Sequence, residues 1–348
     1  MKSSKHGFAS RVVFLFVLTI ILFGNGSISL AASSWPEKGR EFHLVAGYNP
    51  GGATDAICRV CAPYIEKYLG IPVVVQNIPG SGGLVGTNSV FAGKNDGYTA
   101  IYTATTDGIW SYTSLSPTSV PWKLSDWKGT GIYANMGTMG LVSLKTSPWK
   151  DFADLIEDAR KRPEKDITLA SLGPGRLDDL WVIEIERTFG VKFNWVFYDG
   201  SGSIQTDLIT GDVDVAIIGV ARKDFIDHPQ FRVLAGFVSE YPDGCAYKDV
   251  FPTMRDFETR LGYKMEDLPA LSIKPILSFI VKADIPDEAY NAISAAVKKM
   301  CEDTAWQADI KALSWPTYIP PEEQNPIFKS IDATIASYKD LHKQYVTR

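Results

Sequence analysis

The chain has 348 residues, 45% of them hydrophobic and 22% charged, with a formal net charge of −5. Charge is spread out and no basic block exceeds Arg160-Lys161-Arg162, which argues against a nucleic-acid partner. The length is enough for two domains of ordinary size with proper cores.

The N-terminus reads as a secretory signal peptide over 1–31. Lys2, Lys5 and Arg11 precede an apolar run from Val12 to Phe23, and Ser29-Leu30-Ala31 places small residues before a cut after Ala31. The run is about 12 residues against the roughly 20 that a membrane span needs, which argues against an uncleaved anchor. No cysteine lies near the cut, so a lipoprotein anchor is not expected. The remaining part, about 315 residues, is expected to be soluble, since it has no long uninterrupted apolar segment.

Phe42-His43-Leu44-Val45-Ala46 predicts the first strand. The turn Tyr48-Asn49-Pro50-Gly51-Gly52-Ala53-Thr54-Asp55 follows, with Thr54 or Asp55 expected to cap a helix. Its apolar positions Ile57, Val60, Cys61, Tyr64, Ile65, Tyr68 and Leu69 keep a period near 3.6, and Gly70 ends it. Pro63 predicts a kink. Cys58 and Cys61 lie on the apolar stripe without thioredoxin-like surroundings, and so read as buried free thiols rather than a redox pair. Pro72-Val73-Val74-Val75 predicts strand two, Asn77-Ile78-Pro79-Gly80-Ser81-Gly82-Gly83 a second glycine turn, Leu84 to Phe91 a short helix, and Tyr98 to Thr103 strand three. This is β-α-β-α-β with a parallel sheet. Each glycine turn exposes backbone N–H groups at a helix start, so the sheet rim is expected to hold an anion.

Thr105 to Ser125 has no clean period and predicts a long loop over the cleft edge. Gly140 to Leu144 is strand-like and able to cross to a second domain, where the pattern restarts. Helix Asp151 to Lys161, strand Ile167 to Ala170, a turn at Ser171 to Gly175 and helix Leu177 to Phe189 come first. Strand Val191 to Phe197, a helix from Ser201 and strand Val213 to Ile218 follow. Ile276 to Val281 is again strand-like, ahead of helices Pro286 to Met300, Thr304 to Leu313 and Glu322 to Gln344. Two α/β halves with a helical tail predict a bilobal protein with its cleft between lobes. The first lobe is expected over 32–143 and 276–348, the second over 144–275. A bridge between Cys245 and Cys301 would close a loop of about 55 residues, worth roughly 4 kcal/mol in the chain-entropy model; sequence alone does not show that they meet.

The stretches at 49–55 and 70–83, with Asp96-Gly97-Tyr98-Thr99, resemble the N-terminal signature of the Bug-type extracytoplasmic solute receptors of tripartite tricarboxylate transporters. Tyr198-Asp199-Gly200-Ser201, Gly211-Asp212-Val213-Asp214-Val215 and Phe251-Pro252-Thr253 support the resemblance. It implies a type II periplasmic-binding-protein fold, a periplasmic location, a monomer, and a small organic acid as ligand, delivered to a large and a small membrane subunit. It also implies a carboxylate held by backbone N–H groups and water at the first two glycine turns. This chain departs from the resemblance at three places. Gly173-Pro174-Gly175-Arg176 stands where a Ser/Thr-rich turn is usual, Asp199 where a basic residue is usual, and Asn49 where a small residue or proline is usual.

The expected ligand-binding residues are Tyr48, Gly51, Gly52, Ala53, Thr54, Gly80, Ser81, Gly82, Gly83, Thr103 and Thr105 on the first lobe. Ser171, Gly173, Arg176 and Tyr198 face them from the second. Arg176 carries two readings: it grips a second ligand carboxylate, or it pairs with Asp178, Asp179 or Asp199. A signalling receptor on the same fold would differ only in its docking surface. An enzyme is disfavoured. Gly80 to Val85 lacks the third glycine of a dinucleotide fingerprint, His43, His228 and His342 show no metal-ligand spacing, and no Gly-x-Ser-x-Gly elbow occurs. Asp212 and Asp214 read as turn and edge residues. No cofactor or metal is expected.

Overall fold

The computed structural model describes residues 35–104, 108–109, 111–115, 120–135, 139–172, 174–220, 227–241, 250–273, 276–311, 313 and 315–346. The expected leader at 1–31 lies outside them.

Strands β1 (Phe42–Ala46), β2 (Val73–Asn77) and β3 (Thr99–Ala104) pair in parallel with β1 in the middle, and helices α1 (Ala53–Leu69) and α2 (Leu84–Ala92) make the crossovers. The apolar stripe of α1 is buried at Ile57, Cys58, Cys61, Ile65 and Leu69, and Gly70 closes the helix with φ 75° and a bond to the Glu66 carbonyl. Pro63 does not break α1. It sits on the exposed side of the helix, as does Arg59, whose carbonyl would have received the missing N–H. Cys58 and Cys61 are buried free thiols, and burial pushes the Cys61 thiol up to about 12. Cys301 is also free and buried, and Cys245, with which a bridge had been left open, lies outside the described residues.

Within 105–125, where a long loop was expected, the chain forms α3 (Ser111–Leu115) and a 3-10 turn at Leu124–Asp126. Strand β4 (Trp127–Asn135) then enters the first sheet, and β5 (Met139–Leu144) starts the second. The expected lobe boundary after residue 143 thus falls inside a strand that belongs wholly to the second sheet. That sheet is built from β5, β6 (Thr168–Leu172), β7 (Asn194–Tyr198), β8 (Val215–Gly219) and β9 (Phe231–Gly236), in the order β7-β6-β8-β5-β9. Its helices are α4 (Phe152–Ala159), α5 (Leu177–Phe189) and α6 (Ser201–Thr210). Asp151 caps α4 by accepting the Asp154 N–H at 2.8 Å. After α7 (Glu258–Leu261) the chain returns to the first sheet as β10 (Ile276–Lys282), passes through α8 (Asp287–Glu302) and α9 (Thr304–Ile310), and adds edge strand β11 (Trp315–Ile319). The order there is β11-β4-β10-β3-β1-β2, with β10 antiparallel to both neighbours.

One apolar cluster runs from Val45 and Ile101 of the first sheet to Leu141 and Leu169 of the second and Trp181 of α5, so the two α/β lobes share a core. The tail expected as one helix is two, α10 (Pro321–Ser337) and α11 (Lys339–Val346), divided at Tyr338. The buried Tyr338 hydroxyl donates to Glu184 of α5, which also accepts the Leu271 N–H at 3.1 Å. Burial pushes the Glu184 carboxyl above its usual 4.5. A raised carboxyl weighs on the folded state once pH climbs past its folded titration, because a charge is then held out of water. Tyr338→Phe is expected to cost about 1–3 kcal/mol at neutral pH. The loss should shrink as pH falls through the raised folded value, above 4.5, as the carboxyl takes up its proton and needs the donor less; urea unfolding at neutral pH and in mild acid reads both.

Candidate functional site

The two glycine turns of the first lobe lie side by side. A Cβ on Gly47 would come within 3.0 Å of Gly83 Cα, so the end of β1 and the entry to α2 touch backbone to backbone. Gly80, Ser81, Gly82 and Gly83 run through φ 127°, 48°, 61° and 91°. Consecutive residues of this kind curl the chain so that successive N–H groups face one concavity, an anion-binding arrangement. The Gly83 N–H closes the curl onto the Gly80 carbonyl at 3.1 Å, whereas the N–H groups of Ser81 and Gly82 meet no acceptor among the described residues. The Tyr112 hydroxyl of α3 donates to the Ser81 carbonyl.

In the first turn, Gly52 and not Thr54 is the N-cap of α1, and no side chain caps it. Asp55 braces the turn by accepting the Gly51 N–H at 2.9 Å and the Arg59 Nε–H at 3.0 Å. Burial alone would raise this carboxyl, but the bonds from Arg59 and Gly51 outweigh it and hold it below 3.8. The Thr54 N–H and hydroxyl meet no partner among the described residues. An anion there would also meet the positive end of the α1 dipole.

The second lobe touches both turns. The Ala53 N–H reaches Ser201 Oγ at 3.4 Å, and the Asn49 N–H reaches the Asp199 carbonyl at 3.5 Å. Arg176 Nη1 donates to the Gly82 carbonyl at 3.1 Å, which also accepts the Tyr48 hydroxyl at 2.9 Å. Tyr48, Gly51, Gly52, Ala53, Thr54 and Gly80 to Gly83 are therefore brought together, with Arg176 beside them. Thr105 and Gly173 lie outside the described residues. Thr103 pairs with Ser278 inside the first sheet. Ser171 is buried at the end of β6, and Tyr198 donates its hydroxyl to Asp207 of α6 at 2.6 Å, which leaves it bound within the second lobe. Asn49, Ser201, Tyr112 and Asp55 were not singled out as site residues. Ser201 and Asp55 had a signal, since each is a polar residue at a helix start.

Asp55→Ala is expected to free the Gly51 N–H and cost about 1–3 kcal/mol. The depressed carboxyl contributes stability above 3.8 and loses it as pH falls through its folded value, so parent and variant should converge in acid. Thermal unfolding across pH 7 to 2.5, roughly the carboxylate range, follows that convergence.

Residues 57–314 match the family described as tripartite tricarboxylate transporter family receptor. The protein BugT of Bordetella pertussis is 30% identical over 247 residues, covering 70% of this chain and 72% of BugT. The aligned stretch spans only 47% of another relative, from Agrobacterium vitis. Among solved structures, MatC from Rhodopseudomonas palustris with bound malate superimposes with a TM-score of 0.72 at 19% identity, covering 88% of this chain and 99% of MatC. An R. palustris protein with adipate gives 0.74 at 21%, covering 88% and 98%; these two likenesses speak for the fold. The chain belongs to the tripartite tricarboxylate transporter receptor family.

Proposed function

We propose that this protein is a periplasmic receptor that captures a small organic carboxylate between its lobes and delivers it to the membrane subunits of a tripartite tricarboxylate-type transporter. The observation that carries the reading is the buried Gly82 N–H, which has no acceptor among the described residues and lies beside that of Ser81. A buried N–H without a partner costs free energy, and a carboxylate oxygen supplies the partner it lacks. A second oxygen would fall to the Thr54 N–H and hydroxyl at the start of α1. Neither turn brings a free cationic side chain, so oriented peptide dipoles supply the positive field.

Malate on MatC and adipate on the second R. palustris protein support a carboxylate as the ligand class. Export by residues 1–31, lobes whose chain crossings lie between β4 and β5 and before β10, and a monomeric state complete the proposal.

A thermal-shift screen of organic acids reads the class directly, because a ligand that binds only the folded protein raises its melting temperature. Thr54→Val and Ser81→Ala are each expected to weaken the best acid by about 1.5–3 kcal/mol, the worth of a hydrogen bond to a charged group. Undiminished binding in both variants by calorimetry would move the carboxylate away from these turns.

A further inference from the structure

We propose that Arg176 is a latch between the lobes, which positions the Gly80–Gly83 turn for a carboxylate without touching the ligand itself. The side chain is 2% exposed and sits inside the seam between the lobes. Its Nη1 reaches the Gly82 carbonyl at 3.1 Å, and its guanidinium carbon lies 5.2 Å from the centre of the Tyr48 ring. Both contacts belong to the first lobe, whereas Arg176 itself precedes α5 in the second.

The arginine is aimed by its own lobe. Asp178 stands 3.8 Å from Nη2 and accepts the Leu172 N–H at 3.1 Å. Asp179 accepts the Gly175 N–H at 2.7 Å and pairs with Nε2 of His342 at 2.9 Å. The turn before α5 is therefore fixed from both sides, and the guanidinium has one direction to point.

Its target matters because of peptide planarity. The Gly82 carbonyl and the Gly83 N–H belong to one rigid unit and point opposite ways. With the carbonyl held by Arg176 and the Tyr48 hydroxyl, the Gly83 N–H is directed onto the Gly80 carbonyl at 3.1 Å, and the curl that presents the Ser81 and Gly82 N–H groups is closed. The latch is a contact of protein with protein. It favours the closed arrangement before any ligand arrives, and apparent affinity scales with the fraction of molecules already competent to bind. Arg176 thus acts as a positioning residue for every carboxylate the site takes, and does not select diacids over monoacids.

The inference builds on the carboxylate-receptor reading, and the test separates the two. Arg176→Met and Arg176→Lys are compared with the parent by calorimetry, using adipate, malate and hexanoate as probes, and by X-ray solution scattering of the ligand-free protein. The latch predicts that Arg176→Met weakens monoacid and diacid by the same factor, about 10- to 100-fold, the range of a charge-assisted hydrogen bond. It also predicts a larger radius of gyration without ligand, with Arg176→Lys in between. Tyr48→Phe, which removes the other bond to the Gly82 carbonyl, should weaken binding yet leave the ligand-free radius unchanged. Loss confined to the diacids would make Arg176 a ligand contact and overturn the proposal. Unchanged scattering in Arg176→Met and Arg176→Lys would overturn it as well. If the parent binds none of the acids, the receptor reading fails, and the scattering still decides the latch.

Discussion

The close approach of Gly47 and Gly83 is the constraint on which the site depends. A side chain at Gly47 would drive a carbon to 3.0 Å from Gly83 Cα, and one at Gly86 would meet the Ile78 carbonyl at 2.8 Å. With glycine at these positions, α2 seats directly on the end of β1, and the two N–H-rich turns become neighbours. Parallel pairing of β1 with β2 and β3 then fixes both turns at the same end of the sheet, where an open α/β sheet holds its ligands. A Cβ at Gly47 would force Gly83 to give by a few tenths of an ångström, and one at Gly86 would force the Ile78 carbonyl to shift.

Much of this was legible in the sequence because it is written in local signals. Helix α5 falls on the predicted residues Leu177 to Phe189, and both glycine turns sit between strand and helix as expected. What was not legible depends on distant partners. Strand β4 carries Gly129 and Gly131, which argue against a strand on propensity, yet Gln324 and Tyr318 from the C-terminal part occupy the space those glycines leave. Strand β11 contains Pro316, tolerable because β11 is an edge strand that pairs with β4 alone. Tyr338 reads as a helix residue in sequence, and the break there comes with its hydroxyl reaching Glu184 of another lobe. For Arg176 the sequence offered a ligand carboxylate or a neighbouring aspartate; the fold sets Asp178 3.8 Å from Nη2 and adds a contact that neither reading held, the Gly82 carbonyl of a distant turn.

Two of the three places where this chain departs from the family resemblance meet, and the third reaches a glycine turn of the first lobe. Asn49 of the first turn donates its N–H to the Asp199 carbonyl, and Arg176 reaches Gly82. Burying Arg176 beside Asp178 is costly: burial lowers the arginine and raises the aspartate, each against its charged form. A buried ion pair of this kind contributes little net stability. Its return is geometric, since charges held out of water accept few alternative arrangements and fix how the lobes align.

The C-terminal helices bear on the same place. After β11 the chain leaves the first sheet, runs along α10, and at Tyr338 turns into α11, which packs on α5 of the second lobe. Glu184 holds Tyr338 in the body of α5, while Asp179 holds His342 at its first turn, three residues after the N-cap Arg176. The strap from the first lobe and the guanidinium that reaches back to it are therefore anchored on neighbouring residues of one helix start. A shift of α5 along its axis would strain the Asp179–His342 pair and the Arg176–Gly82 bond together.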